Sequence, residues 1–562
     1  MLSFSLRTLF SMDRRPRRKS RILPLAEQLE IRALLSALTK GGINSGSIGL
    51  KAEVDPWTFT GAKNDQVELI STSTALISGF NAYSEVFDPA GYPVASFWAG
   101  SNTELKLNLS GTYTVRVRDD NYTQTGRYTI GLEGIKPISP TPIALVKGGI
   151  VSGSITTALE KDQLTFTGKI GDRYEIITTS TARTAGFNAY TQVFAPSGTS
   201  VAGFWAGDNV ILDLKENGTY LVQIRDDNYT QDGTYTVGLE GIKPISPGPV
   251  ALPKGGIGSG WITKALEKDQ FTFTGKIGER YEIITTSTAR TAGFNAYTQV
   301  FAPSGTSVAG FWAGDNVILD LKENGTYLVQ IRDDNYSQDG TYRIGLEGIK
   351  PISPTPNALV KGGIVIGSIN TALEKDQLTF TGTIGERYEI ITTSTARTAG
   401  FNAYTQVFAP SGTSVAGFWA GDNVVLDLKE NGTYLVQVRD DNYSQDGSYT
   451  VGLEGVKPRS PNARALSPQT TVSGSIIAAT QKDQWFITVP AGKKLSITLS
   501  GTAVDVGFAA YAEVYSSVGA KIGGIWAGTT TLTLPAGGGY LIQIRDAGLF
   551  KRGGYKLKAW FV

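Results

Sequence analysis

Cysteine and histidine are both absent from the 562 residues. Without cysteine there is no disulfide framework, no thiolate metal site and no cysteine nucleophile. Without histidine there is no Ser-His-Asp or Cys-His catalysis, no His-ligated zinc and no usual general base near neutral pH. Any chemistry would fall to carboxylate, Lys or Tyr side chains. Long apolar runs are missing too, and no segment could span a membrane as a helix. Charge is sparse and nearly balanced, with 52 Lys/Arg against 50 Asp/Glu. Residues 1–40 hold nine of the former and three of the latter, which leaves 43 against 47 in the rest. A slightly acidic body argues against a nucleic-acid partner.

What is present is 67 Gly, 24 Tyr and 41% hydrophobic residues, the composition of a turn-rich globular β protein. The length exceeds what one core organises. Phe80, Phe187, Phe294, Phe401 and Phe508 are spaced by 107 residues, as are Trp98, Trp205, Trp312, Trp419 and Trp526. Residues 173–229 and 280–336 are identical, and 387–443 differ from them only at Val425 and Val438. A period this long is that of a domain and not of a solenoid unit. The repeat divides the chain into a basic leader over residues 1–40 and five domains at 41–136, 148–243, 255–350, 362–457 and 469–562. The intervening residues 137–147, 244–254, 351–361 and 458–468 are rich in proline, as in Pro137, Pro140 and Pro142. Such segments favour extended chain, and ten residues at about 3.1 Å each would act as semi-rigid spacers of up to roughly 30 Å.

Within the second copy, short runs of alternating β-branched and aromatic residues lie between Gly, Pro, Asn and Asp clusters. They predict about eight strands, with Tyr220, Val222 and Ile224 on one face and Tyr235, Val237 and Leu239 on one face, both lining a core. No stretch has helical periodicity. The fold class expected is all-β: five tandem jelly-roll-like β-sandwich domains joined by Pro-containing linkers.

Oxygen-bearing side chains cluster after the penultimate strand. Asp226, Asp227, Asn228 and Asp232 recur as Asp333, Asp334, Asn335 and Asp339, and as Asp440, Asp441, Asn442 and Asp446. These are the ligands calcium prefers, which makes calcium the one candidate cofactor. The spacing is not that of an EF-hand, and the competing reading is a polar turn whose Asp and Asn cap their own backbone. In the first copy Thr125 replaces the last Asp, and in the fifth Lys551 and Arg552 would repel a cation. Arg118, Arg225, Arg332, Arg439 and Arg545 precede the first Asp of each loop. An internal salt bridge to another strand is their expected role.

Phe204-Trp205 places adjacent aromatics on opposite faces of a strand. If Phe204 enters the core, Trp205, Trp312 and Trp419 lie outside as candidate ligand-binding residues, since exposed rings stack on sugars. Packing under a loop or against an adjacent strand competes with that reading and is the commoner outcome. The triplets at Asn217 and Asn228 match a glycosylation acceptor but read better as turn residues. No residue is assigned to catalysis.

Two resemblances carry further expectations. Residues 162–168 (DQLTFTG), 193–198 (VFAPSG), 218–227 (GTYLVQIRDD) and 233–239 (GTYTVGL) together resemble the bacterial pre-peptidase C-terminal domain. That resemblance spans every copy and implies a β-sandwich appended to exported proteins, although no segment here would house a peptidase. The run Glu27, Leu29, Glu30, Arg32, Leu34, Leu35, Ser36, Ala37 resembles the leader, E-x-L-E-x-R-x-L-L-S-A, of large surface and secreted proteins of planctomycetes and some proteobacteria. Ile31 departs from that pattern. The leader implies export. The expected protein is therefore a non-enzymatic, extracellular or cell-surface repeat protein with structural, adhesive or binding modules acting by multivalency. Its partners would be extracellular matrix, wall polymer or surface proteins. A carbohydrate-binding array and the accessory domains of a secreted peptidase system are the alternatives.

Overall fold

The computed structural model describes residues 36–75 and 79–562. The leader reading falls almost entirely on residues 1–35, outside the described residues. Its last part is an exception, because the fold begins before residue 40. Ser36 and Ala37 form a short strand paired in parallel with Trp57 and Thr58, and Leu38 is buried.

The first unit contains nine strands: β1 Ser36–Ala37, β2 Gly42–Ile48, β3 Val54–Gly61, β4 Gln66–Ala75, β5 Ala82–Phe87, β6 Pro93–Trp98, β7 Asn102–Lys106, β8 Gly111–Asp119 and β9 Gly126–Lys136. Four later units repeat the set, and the same labels serve for them. The strands form two sheets with orders β1-β3-β8-β5-β6 and β2-β9-β4-β7. Strands β2 to β9 thus split into two four-stranded sheets in the order of a jelly roll, and the parallel β1 extends one of them. The expected all-β array of five tandem sandwiches is what the chain forms.

Alternation explains the core. In the second unit Tyr220, Val222 and Ile224 of β8 (Gly218–Asp226) and Tyr235, Val237 and Leu239 of β9 (Gly233–Lys243) turn inward together. Phe166 of β3, paired with Tyr220 in the same sheet, stacks on it with ring centroids 5.1 Å apart. At one end of the sandwich Tyr235 donates its hydroxyl hydrogen to Asp162 at 2.7 Å, and the same bond recurs from Tyr342 to Asp269 and from Tyr449 to Asp376. Gly153 lies directly beneath the Tyr235 hydroxyl, where a Cβ would occupy the phenol's space.

The proline-containing segments are not spacers, which corrects the expectation above. Ile143–Ala144 within 137–147 is β1 of the second unit and pairs with Leu164 and Thr165. Ser139 caps the end of the first unit: its hydroxyl donates to Glu133 at 2.7 Å and accepts from the Gly134 N–H at 2.8 Å. Its own N–H donates to Gln163 of the second unit at 3.0 Å, and Gln163 donates to the Gly134 carbonyl.

Successive units are docked. Lys161 of the second unit places its ammonium 2.5 Å from Glu68 of the first, and both side chains are wholly buried. Lys268–Glu175, Lys375–Glu282 and Lys482–Glu389 repeat the pair at 2.5–2.6 Å. Two apolar clusters flank each of the first three: Ile70 with Leu159 and Tyr229, and Ile135 with Phe194 and Leu221, at the first junction. The physical cause is visible in β8, where Leu221 interrupts the alternation. Its core face and its outer face are both apolar, so both must be covered.

The contact is polar in direction, and the terminal units reflect it. Units two to five carry the Lys, whereas the first has Val54 at that position. Units one to four carry the Glu, whereas the fifth has Ser496, hydrogen-bonded to Thr531 at 2.7 Å. Thr114 replaces Leu221 in the first unit, and Thr498 replaces Ile70 in the fifth. The outward faces thus lack the groups that would be unpaired there, as in the polar-faced end units of repeat arrays.

Removing one partner of a buried pair strands the other charge, at a cost of about 3–5 kcal/mol. Lys268→Met in the full chain should therefore destabilise the second junction by that order, seen as faster hydrogen exchange around Ile177 and Leu266. Adding Glu175→Gln should restore most of it. Flexibly spaced units predict an effect of about 0.5 kcal/mol or less, typical of surface substitutions. A second outcome concerns Glu347, whose carboxyl burial pushes up to about 7 from 4.5, against the lowering effect of Ser353 and Lys375. A carboxyl raised on folding stabilises fully below its unfolded value and loses that contribution as pH rises through about 7. Glu347→Gln should flatten the pH dependence of unfolding between about pH 5 and 8, measured by chemical denaturation.

Candidate functional site

Strand β6 places Phe204 in the core and Trp205 outside, as alternation requires. All five units repeat this: Trp98, Trp205, Trp312, Trp419 and Trp526 are 51–62% exposed, while Phe97, Phe311, Phe418 and Ile525 are buried like Phe204. The candidate residues Trp205, Trp312 and Trp419 therefore do lie outside, each with an edge against an adjacent strand. The register of β5 with β6 pairs Tyr190 with Trp205, and their ring centroids are 5.4 Å apart at 68°. Tyr83, Tyr297, Tyr404 and Tyr511 make the corresponding contacts at 4.9–5.5 Å.

Behind the Tyr stands the recurrent Arg. The Arg225 guanidinium lies 4.5 Å from the Tyr190 ring centre and 4.1 Å from that of Tyr229, so it is held between two rings. Its Nη1 donates to the carbonyls of Asp226 and Asp227, both at 2.9 Å. Trp205, Tyr190, Arg225 and Tyr229 thus form one continuous row. The expected inter-strand salt bridge exists in the end units, as Arg118–Glu85 at 3.2 Å and Arg545–Glu513 at 3.7 Å. Among the described residues it does not form in the middle units: Gln192, Gln299 and Gln406 stand where the end units have Glu, and the cation is left between its two Tyr rings. A sequence signal for the row existed, since a Tyr precedes each Trp by fifteen residues in all five copies.

The acidic loop is built on its first carboxylate. Asp226 is buried, and its Oδ2 accepts the N–H groups of Thr230 at 2.9 Å and Gln231 at 3.1 Å. Asp333 and Asp440 do the same. In the first unit, burial raises the Asp119 carboxyl, but the N–H groups of Gln124, Thr123 and Asn81 outweigh it and hold it below its ordinary value. This anchoring accompanies Tyr229 at φ 64°, a left-handed conformation uncommon for a side-chain-bearing residue. Asp227 accepts from Asn228 at 2.7 Å, and Asp334 and Asp441 accept from Asn335 and Asn442. The carbonyls of Asp232, Asp339 and Asp446 take N–H groups of the β4–β5 connection, and Thr184 and Thr398 add their hydroxyls to the side chains of Asp232 and Asp446. These carboxylates do not converge. Among the described residues no three His, Cys, Asp or Glu come together to hold a metal. The loop has the geometry of self-capping, and the fifth unit keeps it: Asp546 accepts from Phe550 and Lys551, although the other acids are gone. Asn217 likewise serves the turn, accepting the Ile170 N–H at 2.8 Å.

No family model and no curated protein matches the chain. Among solved structures it is similar to the CUB1-EGF-CUB2 domains of rat MASP-1, at 10% identity and a TM-score of 0.12, covering 36% of this chain and 99% of that one. It is also similar to the triple jelly roll turret protein of an archaeal virus, at 11% identity and a TM-score of 0.12 over 57% and 84% of the two chains. Tripeptidyl peptidase 2 aligns at 10% identity and a TM-score of 0.13, over 91% of this chain and 35% of that one. Likeness at this level carries no functional argument.

Asp440→Ala should cost about 1–3 kcal/mol through the backbone donors it strands. Thermal unfolding should give the same loss with and without millimolar calcium. A loss that appears only when calcium is present would return the loop to a metal role.

Proposed function

We propose that the chain is a non-enzymatic, exported array that binds or adheres by multivalency, with the Trp–Tyr–Arg row of each unit as its contact surface. One observation carries this reading: a large aromatic side chain is left half exposed at the same position in every unit, including the two terminal units whose loops and docking faces differ. Half-exposed Trp, backed by Tyr and Arg, is the composition that concentrates binding energy at interfaces. Docking of the units adds to it, because repeated surfaces held in fixed register suffer less ordering cost than surfaces on free linkers. Export rests on the resemblance of the leader. Matrix, wall polymers and surface proteins are the partners such an array would meet.

The reading is tested by substituting Trp to Ala in one, three or all five units and measuring retention on insoluble wall polysaccharides and on matrix protein. Avidity predicts a small effect of one substitution and a loss of about 10²-fold or more for five. Retention unchanged in the five-fold variant would remove the Trp row from the account.

A further inference from the structure

The second, third and fourth units are near-identical, so the positions where the third alone differs are informative. Between residues 252 and 350, several of its private residues adjust the interior or the connections. Gly258 and Phe271 replace Val and Leu as a pair, since a Cβ at 258 would come within 2.8 Å of the Phe271 ring. Ile344 replaces a buried Val, and Pro253 and Lys264 sit beside strand ends. Two remain, Trp261 in place of Ser154 and Ser368, and Arg343 in place of Thr236 and Thr450. Neither serves the core. Both face outward from the sheet β2-β9-β4-β7, which is not the sheet that carries the Trp row.

Trp261 and Arg343 line one groove. Register across β2 (Gly256–Ile262), β9 (Gly340–Lys350) and β4 (Arg280–Ala289) makes two parallel rows on one face: Ser259–Arg343–Thr286 and Trp261–Thr341–Thr288. Tyr443 and Ser444 of the fourth unit close the side of the groove, whose volume is about 620 Å³. That is within the roughly 300–1,000 Å³ of small-ligand clefts. Its lining holds hydroxyls, the rings of Trp261, Tyr342 and Tyr443 and the Arg343 cation, and no carboxylate. Trp261 is 46% exposed, and the Arg290 guanidinium lies over its ring, 4.2 Å from the ring centre, which puts a second cation beside the Trp. The matching groove between the fourth and fifth units, about 490 Å³, has Thr450 where this one has Arg343 and Ile366 where this one has Ser259; there an aromatic ring and a cation, Phe550 and Lys551, come from the fifth unit's loop and not from the sheet.

We infer that the groove between the third and fourth units is a binding site for an acidic oligosaccharide, one bearing carboxylate or sulfate groups. The Trp261 ring, one face of which Arg290 covers, offers its remaining exposed surface to a pyranose ring, the Ser and Thr hydroxyls match sugar hydroxyls, and Arg343 and Arg290 complement the anionic groups. The pairing of Trp261 with Arg343 on one sheet face occurs once among the repeated units. The site is independent of the five-fold Trp row, and its occupancy reads differently: one ligand per chain against five.

The test is isothermal titration of the full chain with three hexasaccharides: oligogalacturonate, a heparin-type sulfated oligomer and neutral cellohexaose. At least one of the two acidic oligomers should bind with a stoichiometry of one, more weakly as salt rises, and the neutral one should bind less tightly. Which of the two acidic oligomers binds identifies the anionic group. Combined Trp261→Ser and Arg343→Thr, the residues that the second and fourth units carry, should weaken binding by about 10-fold or more while leaving the unfolding transition in place. Substitution of the five Trp of the repeated row should leave this titration unchanged. The inference is overturned if neither acidic oligomer binds at millimolar concentration, if the stoichiometry is five, or if the combined variant binds as tightly as the natural chain.

Discussion

A Lys–Glu pair buried at each junction is the interaction on which the rest of this array depends. Taken alone it is an expensive contact, because two charges leave water and the attraction between them must offset that loss. Its effect is on specificity. Lys161 can reach Glu68 only if the second unit sits on the first in one orientation, and that same orientation covers Ile70 with Leu159 and Tyr229. A mis-docked neighbour would leave a buried charge without its partner. The apolar clusters supply the burial, and the ion pair selects the geometry in which burial is allowed.

Much of a single unit was legible from sequence and the junction was not, for one physical reason. Alternation reports which face of a strand is covered, and for Tyr220, Val222 and Ile224 it reports the core directly. It also marks Phe204 as inward and Trp205 as outward, without saying what the Trp would lean on. Leu221 and Phe194 lie on the opposite face, where an apolar residue reads as noise until a neighbouring unit is seen to cover it. Lys161 reads as a solvated surface charge because single-sequence logic assigns lysine to water. The proline-rich segments read as extended chain, but each opens on a reversal that bridges Ile135 to Ile138 or its equivalents, and Ile143–Ala144 is hydrogen-bonded into the next sheet. One signal could have exposed the junction: the Lys occurs in units two to five and the Glu in units one to four, an offset expected of residues that pair across a boundary.

The acidic loop shows the reverse lesson. Its cluster of oxygens suggested a cation, yet only the first Asp persists in all five copies, and that one is the carboxylate buried beneath its own loop. A ligand role predicts loss of the set together; a cap predicts survival of one member. The aromatic row follows the opposite pattern, since every copy keeps its exposed Trp. Near-identity among the middle units then turns small differences into evidence, and Trp261 and Arg343 stand out because the neighbouring units manage the same fold without them.

The central claim is that successive units are fixed against one another. The chain contains no cysteine, so labels introduced by Lys169→Cys and Lys276→Cys, exposed and equivalent in adjacent units, would be unique. Electron–electron distance measurement between them in the full chain is the most direct test. Docked units predict a single narrow distance distribution that broadens when Lys268 loses its ammonium. A broad distribution in the natural chain, indifferent to Lys268, would contradict the account.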